Sequence, residues 1–132
     1  MIRDDMGRIL MTERGINPDK GKLDMPGGFV MFGEQLEDAA VREAKEEVGV
    51  DVEIGRCIGH WVDGYNYQGI DDYSFVVVME AKIVNGEARP ADRREIASLE
   101  WVDPAGVDKS RLAFTYNEKF LLSAKGKETR EK

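Results

Sequence analysis

The pattern of apolar and polar positions divides the chain into six regular stretches. Arg8-Ile-Leu-Met-Thr-Glu13 follows the turn residues Asp4–Gly7 and reads as a strand. Gly15–Asp24, with two glycines, a proline and an asparagine, reads as a loop. Met25–Gly33 is a short extended piece bracketed by glycines. Gln35–Val48 is the clearest helix, rich in Ala and Glu, with Gly49 as its stop. Leu36, Ala40, Ala44 and Val48 recur at i+4 and predict a narrow apolar stripe on it. Val50–Tyr65 and Tyr73–Val84 read as two long strands. Within the second, Ser74–Met79 is nearly all apolar and suits a central strand buried on both faces. Asn85-Gly86 is a hairpin signal. Ile96–Val102 reads as another strand, and Thr115–Ala124 as a second helix. The sum predicts an α+β fold, a mixed sheet with a helix on each side.

At 132 residues the chain fits one domain, expected over residues 1–122, followed by a polar tail at residues 123–132. A domain of this size folds without disulfide or structural zinc. The single cysteine, Cys57, lies in an apolar strand-like run and reads as a reduced, buried thiol. No stretch approaches the roughly 18 consecutive apolar residues of a membrane helix. No charged n-region and apolar h-region open the chain, so the cytoplasm is the expected location. The net charge of −7 opposes binding to nucleic acid and to anionic membranes. If the substrate is itself an anion, a metal has to stand between it and the protein. A homodimer is left open.

The candidate chemistry lies on the first helix. Glu43, Glu46 and Glu47 are spaced i, i+3 and i+4, which puts three carboxylates on one face beside the apolar stripe. Like charges at that spacing repel by a few tenths of a kcal/mol, roughly, per pair. The two later ones also face the negative end of the helix dipole. Arg42 offsets part of this repulsion, and a hard dication would offset more. Mg²⁺ takes carboxylate oxygens, keeps several waters and completes its shell with substrate phosphates. Just ahead, Pro26-Gly27-Gly28 allows close approach of the backbone to a ligand.

From Gly28 the order is five residues, Glu34, seven residues, then Arg42-Glu43-Ala44-Lys45-Glu46-Glu47-Val48-Gly49-Val50. This resembles the Nudix box, G-x5-E-x7-R-E-U-x-E-E-x-G-U, with U a bulky apolar residue. Every fixed position matches, and Ala44 is a small residue at one U position. At common residue frequencies a chance match is on the order of 10⁻⁹ per start site. The resemblance implies an αβα sandwich and a Mg²⁺-dependent hydrolase, with Mn²⁺ as a substitute, that cleaves a diphosphate linkage in a nucleotide-derived substrate. It implies Glu43, Glu46 and Glu47 as metal ligands, the Gly27 carbonyl as a further one, and Arg42 as the residue that orients them. Glu34 opens the helix near the positive end of its dipole. Relatives have a longer strand ahead of this region, so the first strand here is short or the start lies upstream.

Outside the box, relatives commonly supply one more acidic group from the loop before a late strand. Glu95 stands there, ahead of Ile96–Val102, as the expected base or extra ligand. Arg93 in the same loop is a candidate for substrate phosphates. Tyr65 and Tyr67 are candidates to stack on a base. ADP-ribose-cleaving relatives often carry a proline where Tyr65 and Asn66 stand; diadenosine-polyphosphate hydrolases often carry a tyrosine. Leu112-Ala113-Phe114 resembles a segment of some dinucleotide-cleaving relatives. His60 reads as a strand residue, and Trp61 and Trp101 as core. The expected substrate is a nucleoside diphosphate linked to another moiety, of dinucleotide, ADP-ribose or nucleotide-sugar type. The alternatives are a house-cleaning nucleoside triphosphate pyrophosphatase or a non-catalytic nucleotide-sensing domain. Isomerisation of a prenyl diphosphate is remote, because Cys57 falls in a strand after the box.

Overall fold

The computed structural model describes residues 1–131; the side chains of Tyr65 and of residues 125–131 lie outside the described residues. The elements are β1 (Ile9–Arg14), β2 (Leu23–Asp24), α1 (Leu36–Val48), β3 (Asp51–Tyr67), β4 (Ile70–Asn85), β5 (Ile96–Val102), a single 3-10 turn (Lys109–Arg111) and α2 (Phe114–Glu131). The strands form two antiparallel sheets, β2-β1-β5 and β3-β4. The N-terminal residues join them. Ile2 bridges Ala81 in parallel, and Arg3 bridges Ile9 in the antiparallel sense.

β1 shows why this makes a sandwich. Its side chains alternate sides, and Ile9, Leu10 and Met11 are all fully buried. Ile9 and Met11 enter a core cluster with Leu23, Met25, Val102, Leu112, Phe120 and Leu121 on the α2 side. Leu10 enters a second cluster with Ile2, Ala44, Val48, Val50 and Ala81 on the α1 side. The sheet layer therefore lies between two helices, and the αβα expectation holds.

Several local expectations change. The apolar stripe of α1 buries Ala39, Ala44 and Val48, while Leu36 is exposed. Of the helix, Ala44 and Val48 join the core cluster on that side. Ser74–Met79 is not a central strand. It lies in a two-stranded sheet with Val78 buried and Phe75 69% exposed. Asn85-Gly86 ends β4 without making a hairpin, because β5 pairs with β1 instead. The tight hairpin turn is Gln68-Gly69, with φ of 53° and 80°, the type I′ geometry that suits twisted strands. Met25–Gly33 forms no strand, and the expected loop at 15–24 closes with the two-residue β2. Cys57 is exposed rather than buried. The β3-β4 register shifts between Ile54 and Cys57 and again before Gly59, and such bulges re-aim the side chain between them. Trp61 and Trp101 are partly buried, each packed against a different core cluster.

The start of α2 is capped by Asp63, a buried residue of β3. Its carboxylate accepts the N–H groups of Thr115 and Tyr116 at 3.0 and 3.3 Å and the Thr115 hydroxyl at 2.7 Å. These are donors that a helix start otherwise leaves unpaired. The helix runs past Ser123, and Ala124 packs in the core. The expected polar tail beyond Ala124 falls on side chains outside the described residues. No helix among the described residues is long and apolar enough to cross a membrane.

Candidate active site

Arg42 is the hub of the acidic face. A guanidinium has five N–H groups, and the structure supplies five acceptor contacts. Nε donates to Glu34 Oε2 at 2.7 Å, and Nη2 donates to Glu34 Oε1 at 3.1 Å. Nη1 donates to Glu43 Oε1 at 2.8 Å and Glu46 Oε2 at 3.2 Å, and Nη2 also reaches the Phe29 carbonyl at 2.9 Å. Arg42, the residue expected to orient the carboxylates, thus contacts Glu34, Glu43 and Glu46. Glu34 does more than open the helix. Its carboxylate also accepts the Met31 N–H at 2.8 Å, closing the loop onto α1. The Arg42 guanidinium holds Glu34 below the usual carboxylate range.

The glycines have separate reasons. A Cβ on Gly28 would lie 2.4 Å from the Glu43 carboxylate carbon and from Oε1. No side chain fits between that backbone and Glu43. Gly27 donates its N–H to Glu47 Oε1 at 2.9 Å; that is the contact the structure gives it, where the resemblance implied its carbonyl. Gly49 ends α1 in the left-handed region at φ 73°.

Glu47 is electrostatically unusual. Burial pushes its carboxyl up to about 8; the Gly27 N–H opposes the shift, and the charges of Glu43, Asp24 and Glu95 add to it. Glu95, the expected base or extra ligand, is near enough for its charge to act on Glu47. It is exposed in the turn before β5, and the nearby Arg94 pairs with Asp92 at 3.6 Å rather than with Glu95. The chain brings this turn close by capping α1. Arg89 and Ala91 donate their N–H groups to the carbonyls of Val48 and Glu47 at 3.0 and 2.9 Å. Arg93 is exposed in the same turn, and Tyr67 is half-buried at the end of β3. Among the described residues no hydrogen bond or ion pair joins either to the acidic face. The Tyr65 side chain lies outside the described residues.

Among the described residues, no group of three His, Cys, Asp or Glu side chains is gathered tightly enough to hold a metal. The reason is legible. Arg42 occupies Glu43 and Glu46, and Glu47 is turned to Gly27. The donor set nevertheless fits a hard dication: it is all carboxylate. Glu47 also carries a half-buried carboxyl under the field of three others, a place short of positive charge. Glu43, Glu46 and Glu47 are the residues that would hold it.

Asp24 escaped the sequence reading. It stands just before Met25-Pro26-Gly27-Gly28, which was the available signal, and its charge acts on Glu47. Asn117 also escaped it. An asparagine inside a helix is a mild anomaly, and here it is fully buried against Asp24.

The chain is similar to known proteins over most of its length. A family model described as "NUDIX domain" matches residues 1–122. The chain is 34% identical over 111 residues to an ADP-ribose pyrophosphatase of Methanocaldococcus jannaschii, covering 84% of this chain and 62% of that protein. It is 33% identical over 116 residues to an isopentenyl-diphosphate Delta-isomerase of Leifsonia xyli, covering 79% of this chain and 59% of that protein. The chain thus spans about three-fifths of the length of these two relatives. Among solved structures, a MutT NUDIX hydrolase from Burkholderia pseudomallei superposes with a TM-score of 0.75 at 26% identity, covering 93% of this chain and 91% of that one.

Proposed function

The chain belongs to the Nudix family, and from that membership we propose that it is a Mg²⁺-dependent pyrophosphohydrolase acting on a nucleotide-derived diphosphate. The observation that carries this reading is the acidic face of α1. Arg42 orders Glu43 and Glu46 there, and Gly28 lets the loop backbone lie against Glu43. Dications bound there would neutralise the diphosphate and lower the pKa of the attacking water. The chain's own residues do the rest. Glu43, Glu46 and Glu47 supply the ligand oxygens. Arg42 and Glu34 fix the loop against the helix. Glu95 is the proposed acceptor of the proton from water, a choice supported by its charge acting on Glu47. Mn²⁺ would substitute for Mg²⁺, both being hard ions that accept carboxylate oxygens.

The substrate expected is a nucleoside diphosphate linked to a second moiety, cleaved to give a nucleoside monophosphate. The similarity to a protein named as an ADP-ribose pyrophosphatase supports this choice. A panel of linked diphosphates and free nucleoside triphosphates, assayed with Mg²⁺, Mn²⁺ or EDTA, tests it. Turnover in excess EDTA would reject the metal. Cleavage of free triphosphates alone would move the assignment to a house-cleaning pyrophosphatase. Isopentenyl diphosphate belongs in the panel because one relative carries that isomerase name. Its conversion with no nucleotide cleaved would replace the hydrolase reading. No turnover of any substrate, with nucleotide bound, would favour a sensing domain.

A further inference from the structure

Asn117 lies in the first turns of α2 and is completely buried. Its carboxamide makes three hydrogen bonds, and two of the three partners are Asp24 and Met25, which lead into the Pro26-Gly27-Gly28 loop. Oδ1 accepts the Met25 N–H at 3.2 Å. Nδ2 donates to Asp24 Oδ1 at 2.9 Å and to the Ala113 carbonyl at 2.6 Å. Asp24 is tied down further. The Tyr116 hydroxyl donates to its Oδ1, Arg14 Nη1 lies 3.4 Å from its Oδ2, and its carbonyl accepts the Thr12 hydroxyl at 3.0 Å.

The start of α2 is itself held in a strained conformation. Phe114 has φ of 53°, in the left-handed region that a bulky side chain rarely adopts. Its N–H donates to Asp19 Oδ2 at 3.2 Å, and the Arg14 guanidinium lies 5.0 Å from its ring centre. Ala113 donates its N–H to the Leu23 carbonyl at 2.8 Å. Strain of this kind persists where the surroundings over-determine it. Here the surroundings are the Asp19 and Arg14 contacts of Phe114 and the contacts that tie its neighbours to residues 23–25.

Between Met25 and Gly27 stands only Pro26, whose ring fixes its own φ. A displacement at Met25 therefore reaches Gly27 with little slack, and the Gly27 N–H is the group bonded to Glu47. We propose that Asn117 is a positioning residue for the metal loop: by holding Met25 and Asp24 it sets where Gly27 meets Glu47, and through that contact the affinity of the acidic face of α1 for a divalent cation. This rests on the reading of that face as a Mg²⁺ site.

The test is Mn²⁺ binding, followed by electron paramagnetic resonance on the full chain well below its melting temperature. Three variants are compared with the wild type: Asn117→Ala, Leu121→Ala and Glu47→Gln. Leu121 is buried in the same helix and makes none of the contacts described for Asn117, so it controls for a general loosening of α2. Loss of a group that orients metal ligands typically weakens binding by about 10- to 100-fold, and at least the lower figure is expected for Asn117→Ala. Leu121→Ala should bind Mn²⁺ as the wild type does while melting earlier. If Asn117→Ala does not fold, Asn117→Ser is measured instead, because its short hydroxyl cannot span Met25 and Asp24. Unchanged affinity in the Asn117 variant, with loss in Glu47→Gln, would overturn the positioning role alone. Equal loss in Leu121→Ala would overturn it too. Wild-type binding in Glu47→Gln would overturn the metal site and the positioning role together.

Discussion

Gly28→Ala is the most direct probe of the site, because the structure gives its clash in ångströms. The new methyl would lie 2.4 Å from the Glu43 carboxylate carbon and Oε1, and 2.6 Å from Oε2. Carbon atoms in contact prefer about 3.5–4.0 Å, so the carboxylate has to retreat by roughly 1 Å. That movement carries Glu43 away from Arg42 Nη1, now at 2.8 Å. An off-rotamer side chain costs about 0.5–1.5 kcal/mol. The weakened charged hydrogen bond adds up to about 1 kcal/mol, discounted because Arg42 keeps four other contacts and is partly solvated. Stability should therefore fall by about 1–2 kcal/mol, or less than about 10 °C in Tm. Activity should fall further, since a misplacement of about 1 Å at a reacting centre costs on the order of 10²-fold. The assay is kcat as a function of Mg²⁺, beside a circular-dichroism melt. Glu43→Asp supplies the cross-check: its shorter side chain withdraws the carboxylate, so Gly28→Ala should cost less on that background. A Gly28→Ala enzyme with wild-type kcat, or full additivity with Glu43→Asp, would refute the reasoning.

The remaining predictions concern the carboxylates. Glu46→Gln and Glu47→Gln should each abolish most turnover while the protein stays folded, checked by product release and by melting; wild-type turnover in either would remove that residue from the site. In metal-free protein the Glu47 carboxyl sits at about 8 against an ordinary value of 4.5, so its folded pKa is raised. The stability this contributes is full below the ordinary value and is lost as pH rises toward 8. Melts in EDTA should show that decline for the wild type and a smaller one for Glu47→Gln, and identical slopes would count against it. Glu95→Gln should lower kcat by about 10²-fold with little change in KM if Glu95 takes the proton from water. An unchanged kcat across the pH range would return that role to the box carboxylates.

The parts of the protein legible in the sequence are those whose cause is local. Arg42, Glu43, Glu46 and Glu47 share a helix face because of helical geometry alone. Gly49 announces the end of α1, and β1 and β5 announce themselves by composition. What failed depended on partners distant in the chain. Ser74–Met79 is apolar enough for a central strand, but hydrophobicity does not say how many strands will lie beside it. Beside Phe75 the only strand that pairs with β4 among the described residues is β3, so Phe75 is left exposed. The turn at Gln68-Gly69 lacks an Asn-Gly or Asp-Gly pair, so the gap from Tyr65 to Tyr73 reads as a loop when it is a continuous ladder. The Asp24–Asn117 contact joins residues 93 apart in the chain and exists only because α2 docks beside β2.

Arg42 connects the local and the distant parts of the site. Glu43 and Glu46 would repel each other and Glu47 on an isolated helix. In the folded chain Arg42 supplies the positive charge between two of them, and its other N–H groups go to Glu34 and the Phe29 carbonyl. A dication arriving at the face competes only for the Nη1 contacts, to Glu43 and Glu46. The Nε and Nη2 contacts hold the loop whether or not those two are surrendered. A lysine, with three donors on a flexible stem, cannot divide its contacts in this way. The loop from Gly27 to Glu34 is thus pinned at both ends by groups that need not themselves bind metal, Arg42 on the side of α1 and the Asp24–Asn117 pair on the side of α2. Within that loop the run Phe29 to Phe32 is exposed, and its ties to the site are the Phe29 carbonyl on Arg42 and the Met31 N–H on Glu34.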